Sequence, residues 1–238
     1  MSDGFTLTPI RHLDARLVTH DWTWAEANAD AIATHWDRRR AAAPEMFDGC
    51  VLLACACRIE GDVCRIDLFE TRFSRFIAFR DAGSPDPTVF NAFAAVVPWT
   101  SDGAALLGIM GGHTANAGQA YFPCGTPDPD DIRPGGRVDL AGSAAREFLE
   151  ETGIGLAADA SEAWVLLAGQ NQRAFLRPVR FPDDAQTLLA RMEAHRRAEA
   201  APELAGFLAA RGPDDIDGAR MPGFVRAYLA DAFAGAYG

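Results

Sequence analysis

The chain has 238 residues, and 22 basic side chains against 33 acidic ones give it a net charge of -11. This acidic balance argues against a nucleic-acid backbone or an anionic membrane as the main partner. Every basic residue is an arginine, which excludes Schiff-base lysine chemistry and the phosphate-binding loops and kinase signatures that need a lysine.

The start of the chain carries no basic-then-apolar signal segment. The longest apolar runs, such as Cys50–Cys57, are too short to span a bilayer. We therefore expect a cytoplasmic protein with no membrane partner. The five cysteines are odd in number, and three lie in apolar segments typical of strands. We therefore interpret them as free thiols rather than as metal ligands or disulfides.

Residues 1–88 are predicted to form a small N-terminal α+β section. Thr23 and Glu26 have the spacing of a capping box, which predicts the start of a helix that ends before Pro44. A strand hairpin, a short amphipathic helix and a Pro- and Gly-containing linker follow. These predicted elements are the strands Cys50–Cys57 and Val63–Phe69, the helix Arg72–Arg80 and the linker Ala82–Pro87.

Residues 89–238 are predicted to form the main domain, in which strands and helices are mixed along the chain. The predicted strands are Phe90–Val97, Ala104–Met110, Ala163–Ala168, Ala174–Phe181 and Glu203–Ala210. The predicted helices are Leu140–Thr152, Asp183–Glu199 and Gly223–Phe233. This order predicts an α/β (α+β) fold with a mixed sheet.

The most informative segment is Arg146–Ile154. At 100° per residue, Glu147, Glu150 and Glu151 share one arc of a helix, and their like charges repel. The opposite side is predicted to pack, through the set Ala145, Phe148, Leu149 and Thr152. A solvated acidic face is the alternative interpretation. A divalent cation with a preference for oxygen ligands, Mg²⁺ or Mn²⁺, would offset the repulsion.

This segment resembles the second half of the Nudix box, and it matches that half completely. The first half departs from the family pattern, because Val138 stands where a Glu is expected. Asp139, one place later, could substitute for it or cap the helix. We assign the displaced glycine of the box to Gly125, with residues 128–136 as an insertion.

The resemblance implies a Nudix-type α/β/α sandwich and a metal-dependent hydrolase that cleaves the diphosphate linkage of a nucleoside diphosphate derivative. It implies that Glu147, Glu150, Glu151 and the Gly125 carbonyl bind Mg²⁺ or Mn²⁺. It also implies catalytic roles for Glu150 and Glu151, either of which could act as the base, and an orienting role for Arg146.

Three further residues are candidates for contacts at the substrate. Arg173 and Arg177 lie on a predicted strand and could bind a terminal phosphate in a bidentate manner. Glu203 stands at the head of a predicted strand, where the family sometimes places another metal-binding or basic residue, and Glu199 is its rival. For all of these, a solvent-facing or structural role is the alternative.

Two other functions compete with the hydrolase. A non-catalytic Nudix-like sensor of a nucleotide ligand would account for the altered first half of the box. Isoprenyl diphosphate isomerisation on the same fold would need an added Cys and Glu pair, for which Cys124 is the only basis. The N-terminal section could extend the sheet, cover the site or form a homodimer, and a nucleotide sugar is the substrate to test first.

Overall fold

A computed structural model gives the fold, and the structure describes residues 4–114, 116–157, 163–169 and 171–235. Ala115, in the polar loop predicted between residues 111 and 118, lies outside them. Within the described residues the chain forms six α-helices and two mixed β-sheets, which confirms the predicted α/β class. No helix in these ranges is long and apolar enough to cross a membrane.

Twelve strands of the described residues build the two sheets. They are β1 (Thr6–Ile10), β2 (His12–Leu17), β3 (Cys50–Glu60), β4 (Val63–Arg72), β5 (Asn91–Trp99), β6 (Ala105–Met110), β7 (Ala120–Tyr121), β8 (Ile132–Arg133), β9 (Arg137–Val138), β10 (Trp164–Gly169), β11 (Gln172–Arg180) and β12 (Leu204–Ala210). The helices are α1 (Thr23–Ala27), α2 (Ala29–Ala42), α3 (Phe73–Asp81), α4 (Leu140–Thr152), α5 (Ala185–Ala198) and α6 (Gly223–Phe233).

The larger sheet has seven strands, in the order β1-β10-β11-β5-β6-β12, and β7 pairs with β6. Strands β5 and β11 are parallel, while the other pairs are antiparallel. Alternate residues of β5 point to opposite faces. Ala92 and Val96 belong to the core that includes α4 and α5, whereas Phe93 and Val97 belong to the core that includes α6. Helices therefore cover both faces of this sheet.

The smaller sheet has the order β3-β4-β2-β9-β8. The predicted turn between β3 and β4 is present, with Gly61 at a φ of +65° that favours glycine. β1 and β2 were not predicted. β1 is short and contains a proline, whereas β2 does alternate polar and apolar residues, with Ala15 buried, so its pattern was missed. β1 joins the larger sheet, and β8 and β9 join the smaller one, so each sheet contains strands from both predicted sections. The boundary at residue 88 stays a prediction.

The N-terminal helices differ from the prediction at their start. Trp22, not Thr23, is the N-cap residue of α1, and no side chain of the described residues caps this helix, so the predicted capping box is wrong. The helix ends at Ala27, and α2 begins at Ala29 and runs to Ala42, just before Pro44. The ring centroids of Trp22 and Trp24 lie 5.4 Å apart, and both rings pack against Phe79. This packing, rather than a side-chain cap, holds the start of α1.

Candidate functional site

Helix α4 carries the acidic residues and has the bounds that the sequence predicted. Asp139 caps its N-terminus, since the side-chain Oδ1 accepts a hydrogen bond of 3.0 Å from the Gly142 amide. Gly153 ends it in the left-handed conformation, at φ +69°. Both ends are therefore fixed by local chemistry.

The buried face of α4 is rotated from the predicted one, away from Leu149 and toward the acidic side. Leu140, Ala144, Phe148 and Thr152 are buried at intervals of four residues. Leu149 was predicted to pack but is 48% exposed. It lies 100° around the helix from Phe148, beyond the stripe that the sheet covers. The acidic side of the helix consequently turns partly inward, which brings Glu151 under cover.

Arg146 links the acids of α4 to the preceding loop. Its Nη1 donates to Glu147 Oε1 at 2.7 Å and lies 3.5 Å from Glu150 Oε2. Its Nη2 donates to Asp131 Oδ1 at 3.2 Å. Asp131 is buried and also accepts a hydrogen bond from the Ser143 hydroxyl. Arg146 thus contacts two carboxylates of α4 and Asp131, and Asp131 is a partner that the sequence did not reveal.

Gly125 lies directly against Glu147. A Cβ atom built on Gly125 would stand 2.6 Å from the Glu147 carboxyl carbon and 2.7 Å from its Oε2, closer than atoms can approach. Any side chain at position 125 would therefore displace this carboxylate. The structure brings Gly125 to the acidic face of α4, where the family resemblance placed it.

Glu151 is the most strongly perturbed acid of the site. Burial, then Glu203 and Glu147, raise its pKa to about 9, while a backbone hydrogen bond from Cys124 acts in the opposite direction. Its Oε2 is buried and has no hydrogen-bond partner among the described residues. A buried carboxylate oxygen without a donor is costly, so this atom is a place where a cation or a proton is needed.

Glu203 reaches the same site from a different segment of the chain. It precedes β12, whose pairing with β6 places the Glu203 carbonyl 2.8 Å from the Gly111 amide. Partial burial of its carboxyl group raises its pKa, and His113 acts in the opposite direction. Of the two acids predicted downstream, Glu203 is the one whose charge reaches Glu151 and Glu147.

Cys124 and Tyr121 lie beside these acids. Burial, followed by the charges of Glu151, Glu147 and Glu203, raises the pKa of the Cys124 thiol well above its ordinary value. Burial also raises the pKa of Tyr121, and Cys124, Glu151 and Glu203 add to this shift. Both groups therefore stay protonated at neutral pH and add no further negative charge.

Glu150 differs from its neighbours on α4. Its side chain is 59% exposed, and its one ion pair within the described ranges is the long contact with Arg146. Its backbone carbonyl lies 2.8 Å from His195 Nε2 of α5, an interaction that holds the end of α4 rather than the carboxylate. The Glu150 carboxylate can therefore turn toward a ligand, in contrast to those of Glu147 and Glu151.

The donor set of the site consists of oxygens, which fits Mg²⁺ or Mn²⁺. The unpartnered Glu151 Oε2 and the space that Gly125 leaves open beside Glu147 fit the same ions. In the part of the chain that the structure describes, however, no three acidic, His or Cys side chains are gathered closely enough to form a ready metal site. Arg146 occupies Glu147 Oε1 instead, as an internal cation.

The two arginines predicted to contact substrate lie elsewhere. The Arg173 guanidinium stands over the Phe90 ring, 4.5 Å from its centroid. The Arg177 guanidinium lies 5.9 Å from the centroid of the Trp164 ring. The structure does not bring either residue to the carboxylates of α4.

A cavity of about 500 Å³ opens beside the carboxylates instead. Gly125 and Cys124 form the end nearest Glu147, and Arg80 of α3 lines the cavity as well. The remaining lining residues are neutral: Phe93, Asn116, Gln119, Tyr121, Thr126, Gln172, Pro222, Gly223 and Phe224. No sequence signal marked Arg80 or Asn116, because distant segments of the chain meet here.

Neither a protein-family model nor a curated protein sequence matches this chain. The site has therefore to be interpreted from its own residues.

Proposed function

We propose that the protein is a metal-dependent hydrolase that cleaves the diphosphate linkage of a nucleoside diphosphate derivative. The observation that supports this function best is the buried, unpartnered carboxylate oxygen of Glu151, crowded by Glu147 and Glu203. A cluster of this kind costs folding free energy unless a cation or a proton neutralises it. The resemblance of Arg146–Ile154 to the Nudix box supports the same function.

In this proposal Glu147, Glu150, Glu151 and the Gly125 carbonyl hold Mg²⁺ or Mn²⁺. The ion would polarise the phosphorus and lower the pKa of the attacking water. Gly125 leaves the room that the Glu147 carboxylate occupies. Arg146 is already paired to Asp131, so it positions Glu147 rather than contacting substrate.

A base must also accept the proton of the attacking water. Glu203 and Glu151 are the candidates for this base, because burial raises the pKa of both carboxyl groups. Glu203 lies just before β12 rather than on α4, so it could accept a proton while the acids of α4 hold the ion. The acidity of this region prevents a polyanionic substrate from approaching without cations, and the chain has no lysine to supply them.

A phosphate-release screen tests the proposal. The purified protein, with Mg²⁺ or Mn²⁺, is offered nucleotide sugars, ADP-ribose, NADH, dinucleoside polyphosphates and nucleoside triphosphates. We expect turnover of at least one nucleoside diphosphate derivative and none after the metal is removed with a chelator. Tight binding of one compound without turnover of any would reject the hydrolase and favour the non-catalytic sensor.

The site assignment is tested with Glu151→Gln, which keeps the size of the side chain but loses its charge. We expect turnover to fall about 10²- to 10³-fold. Glu193→Gln is the matched control, because Glu193 pairs with Arg196 and Arg197 on α5, away from the cavity. Wild-type turnover in Glu151→Gln would place the active site elsewhere.

A further inference from the structure

The cavity beside the carboxylates has a charge pattern that the catalytic residues do not explain. Its volume of about 500 Å³ is typical of a small-molecule site. The lining residue Gly125 adjoins the Glu147 carboxylate, although no acidic side chain is among the described residues that line the cavity. Among the described residues that line it, Arg80 is the cation, and the others are amides, hydroxyls, a thiol, glycines, a proline and phenyl rings.

Arg80 is held by hydrogen bonds to residues on both sides of it. Its Nη1 donates to Asn116 Oδ1 at 3.2 Å, and the Asn116 amide donates to the Tyr121 hydroxyl at 3.2 Å. Its Nε donates to Asp81 Oδ1 at 3.3 Å, and Asp81 is shared with His35 at 2.9 Å. The guanidinium therefore has a fixed position, although a third of the side chain still contacts solvent.

This arrangement suits a ligand that carries negative charge where it meets Arg80. A planar guanidinium binds a phosphate through two parallel hydrogen bonds, and ordering it beforehand reduces the entropy lost on binding. Asn116 and Asp81 accept one hydrogen bond from Nη1 and one from Nε, which leaves both N–H groups of Nη2 and one of Nη1 for a ligand. The neutral amides of Gln119 and Gln172 fit hydroxyl or carbonyl groups of the same ligand.

We propose that Arg80 binds the substrate phosphate that lies farther from the carboxylates of α4. This inference rests on the proposed function, since it takes the diphosphate as the ligand. It gives the N-terminal section a defined role: helix α3 supplies the cation that the main domain, without lysine, does not place in this cavity. It also replaces Arg173 and Arg177 as the phosphate-binding arginines.

The test uses the full chain with Mg²⁺ and inorganic pyrophosphate as the probe, with affinity measured by calorimetry. Arg80→Gln is expected to weaken pyrophosphate binding about 10- to 100-fold. For the substrate found in the phosphate-release screen, it should raise KM by a similar factor and change kcat much less. Arg80→Lys is expected to recover part of the affinity, because it keeps the charge but loses the planar geometry. The affinity of the wild type should fall with salt more steeply than that of Arg80→Gln.

Arg75→Gln is the matched control, because Arg75 lies on the same helix and pairs with Glu26 at 2.8 Å, away from this cavity. It should leave pyrophosphate affinity unchanged. A thermal melt shows whether each variant is folded, and if Arg80→Gln does not fold, Arg80→Lys alone decides the test by an affinity below that of the wild type.

Unchanged affinity and KM in a folded Arg80 variant would overturn the inference while leaving the hydrolase intact. Failure of the wild type to bind pyrophosphate would overturn it as well. Pyrophosphate binding that depends on Arg80, in a protein that turns over nothing, would reject the hydrolase and keep Arg80 as an anion-binding residue.

Discussion

Two groups of acids in this protein have opposite electrostatic surroundings. At the corner between β5 and β6, Asp102 Oδ1 accepts hydrogen bonds from the Thr100 hydroxyl and the Ala185 amide, and its Oδ2 pairs with Arg211 at 2.7 Å. These donors, the Thr100 hydroxyl first, hold the pKa of Asp102 well below its ordinary value. On α4, burial and like charges raise the pKa of Glu151 to about 9.

The comparison separates an acid whose charge is stabilised by donors within the chain from an acid whose charge needs a ligand to stabilise it. At Asp102 each oxygen has donors, so the charged form stabilises the folded chain. At Glu151 one oxygen is buried with no donor among the described residues, so the charged form destabilises it. The chain itself supplies the cation in the first case, and we propose that a metal ion supplies it in the second.

The largest expected effect on stability concerns Glu151 in protein freed of metal by a chelator. Because the folded-state pKa lies above the ordinary value of 4.5, the folded state binds more protons than the unfolded state between pH 4.5 and about 9. The free energy of unfolding should therefore fall as pH rises through this window. Glu151→Gln should be more stable than the wild type at pH 9, by roughly 1–2 kcal/mol.

The measurement is chemical denaturation of both proteins at pH 6 and pH 9. Glu147, Glu150 and Glu203 face Glu151 and are present in both, so their titration largely cancels in the difference. Adding Mg²⁺ or Mn²⁺ should raise the Tm of the wild type more than that of the variant. An equal pH dependence in the two proteins would remove the contrast between Glu151 and Asp102.

The next-largest expected effect is a loss of metal affinity when the space between Gly125 and Glu147 is filled. In Gly125→Ala, the new methyl group would meet the end of a side chain, which can move, rather than backbone. We expect the Tm to stay nearly unchanged, while the affinity for Mg²⁺ or Mn²⁺ falls about tenfold because Glu147 is displaced. Gly112→Ala is the control, since a Cβ there meets nothing within 4 Å. Wild-type metal affinity in Gly125→Ala would exclude Gly125 and Glu147 from the metal site.

The smallest effect is at the partnered acid. Asp102→Asn should lower the Tm by about 3 °C at pH 7 and leave turnover unchanged. Because the pKa of Asp102 is depressed in the folded state, its stabilisation is present above the ordinary pKa of 3.8 and disappears as pH falls below it. The melting curves of wild type and variant should therefore converge in acid. A difference that persists there would show that shape, not charge, explains the effect.

The sequence by itself determined helix α4, from its cap at Asp139 to the left-handed Gly153, and with it the shared face of Glu147, Glu150 and Glu151. These features depend on neighbours within a few residues, and helical periodicity and capping chemistry act over that distance. Most strands of the larger sheet were predicted for a similar reason, because a short apolar run bounded by turn residues is also a local signal.

Only the tertiary structure decided which of those acids are buried and what surrounds them. Leu149 is exposed because the covered face of α4 is rotated toward the acids relative to the apolar pattern. Glu203 approaches Glu151 because β12 pairs with β6, and Arg80 enters the cavity because α3 packs beside the loop of Asn116. The charge and burial of the site depend on contacts between segments far apart in sequence, which no local pattern encodes.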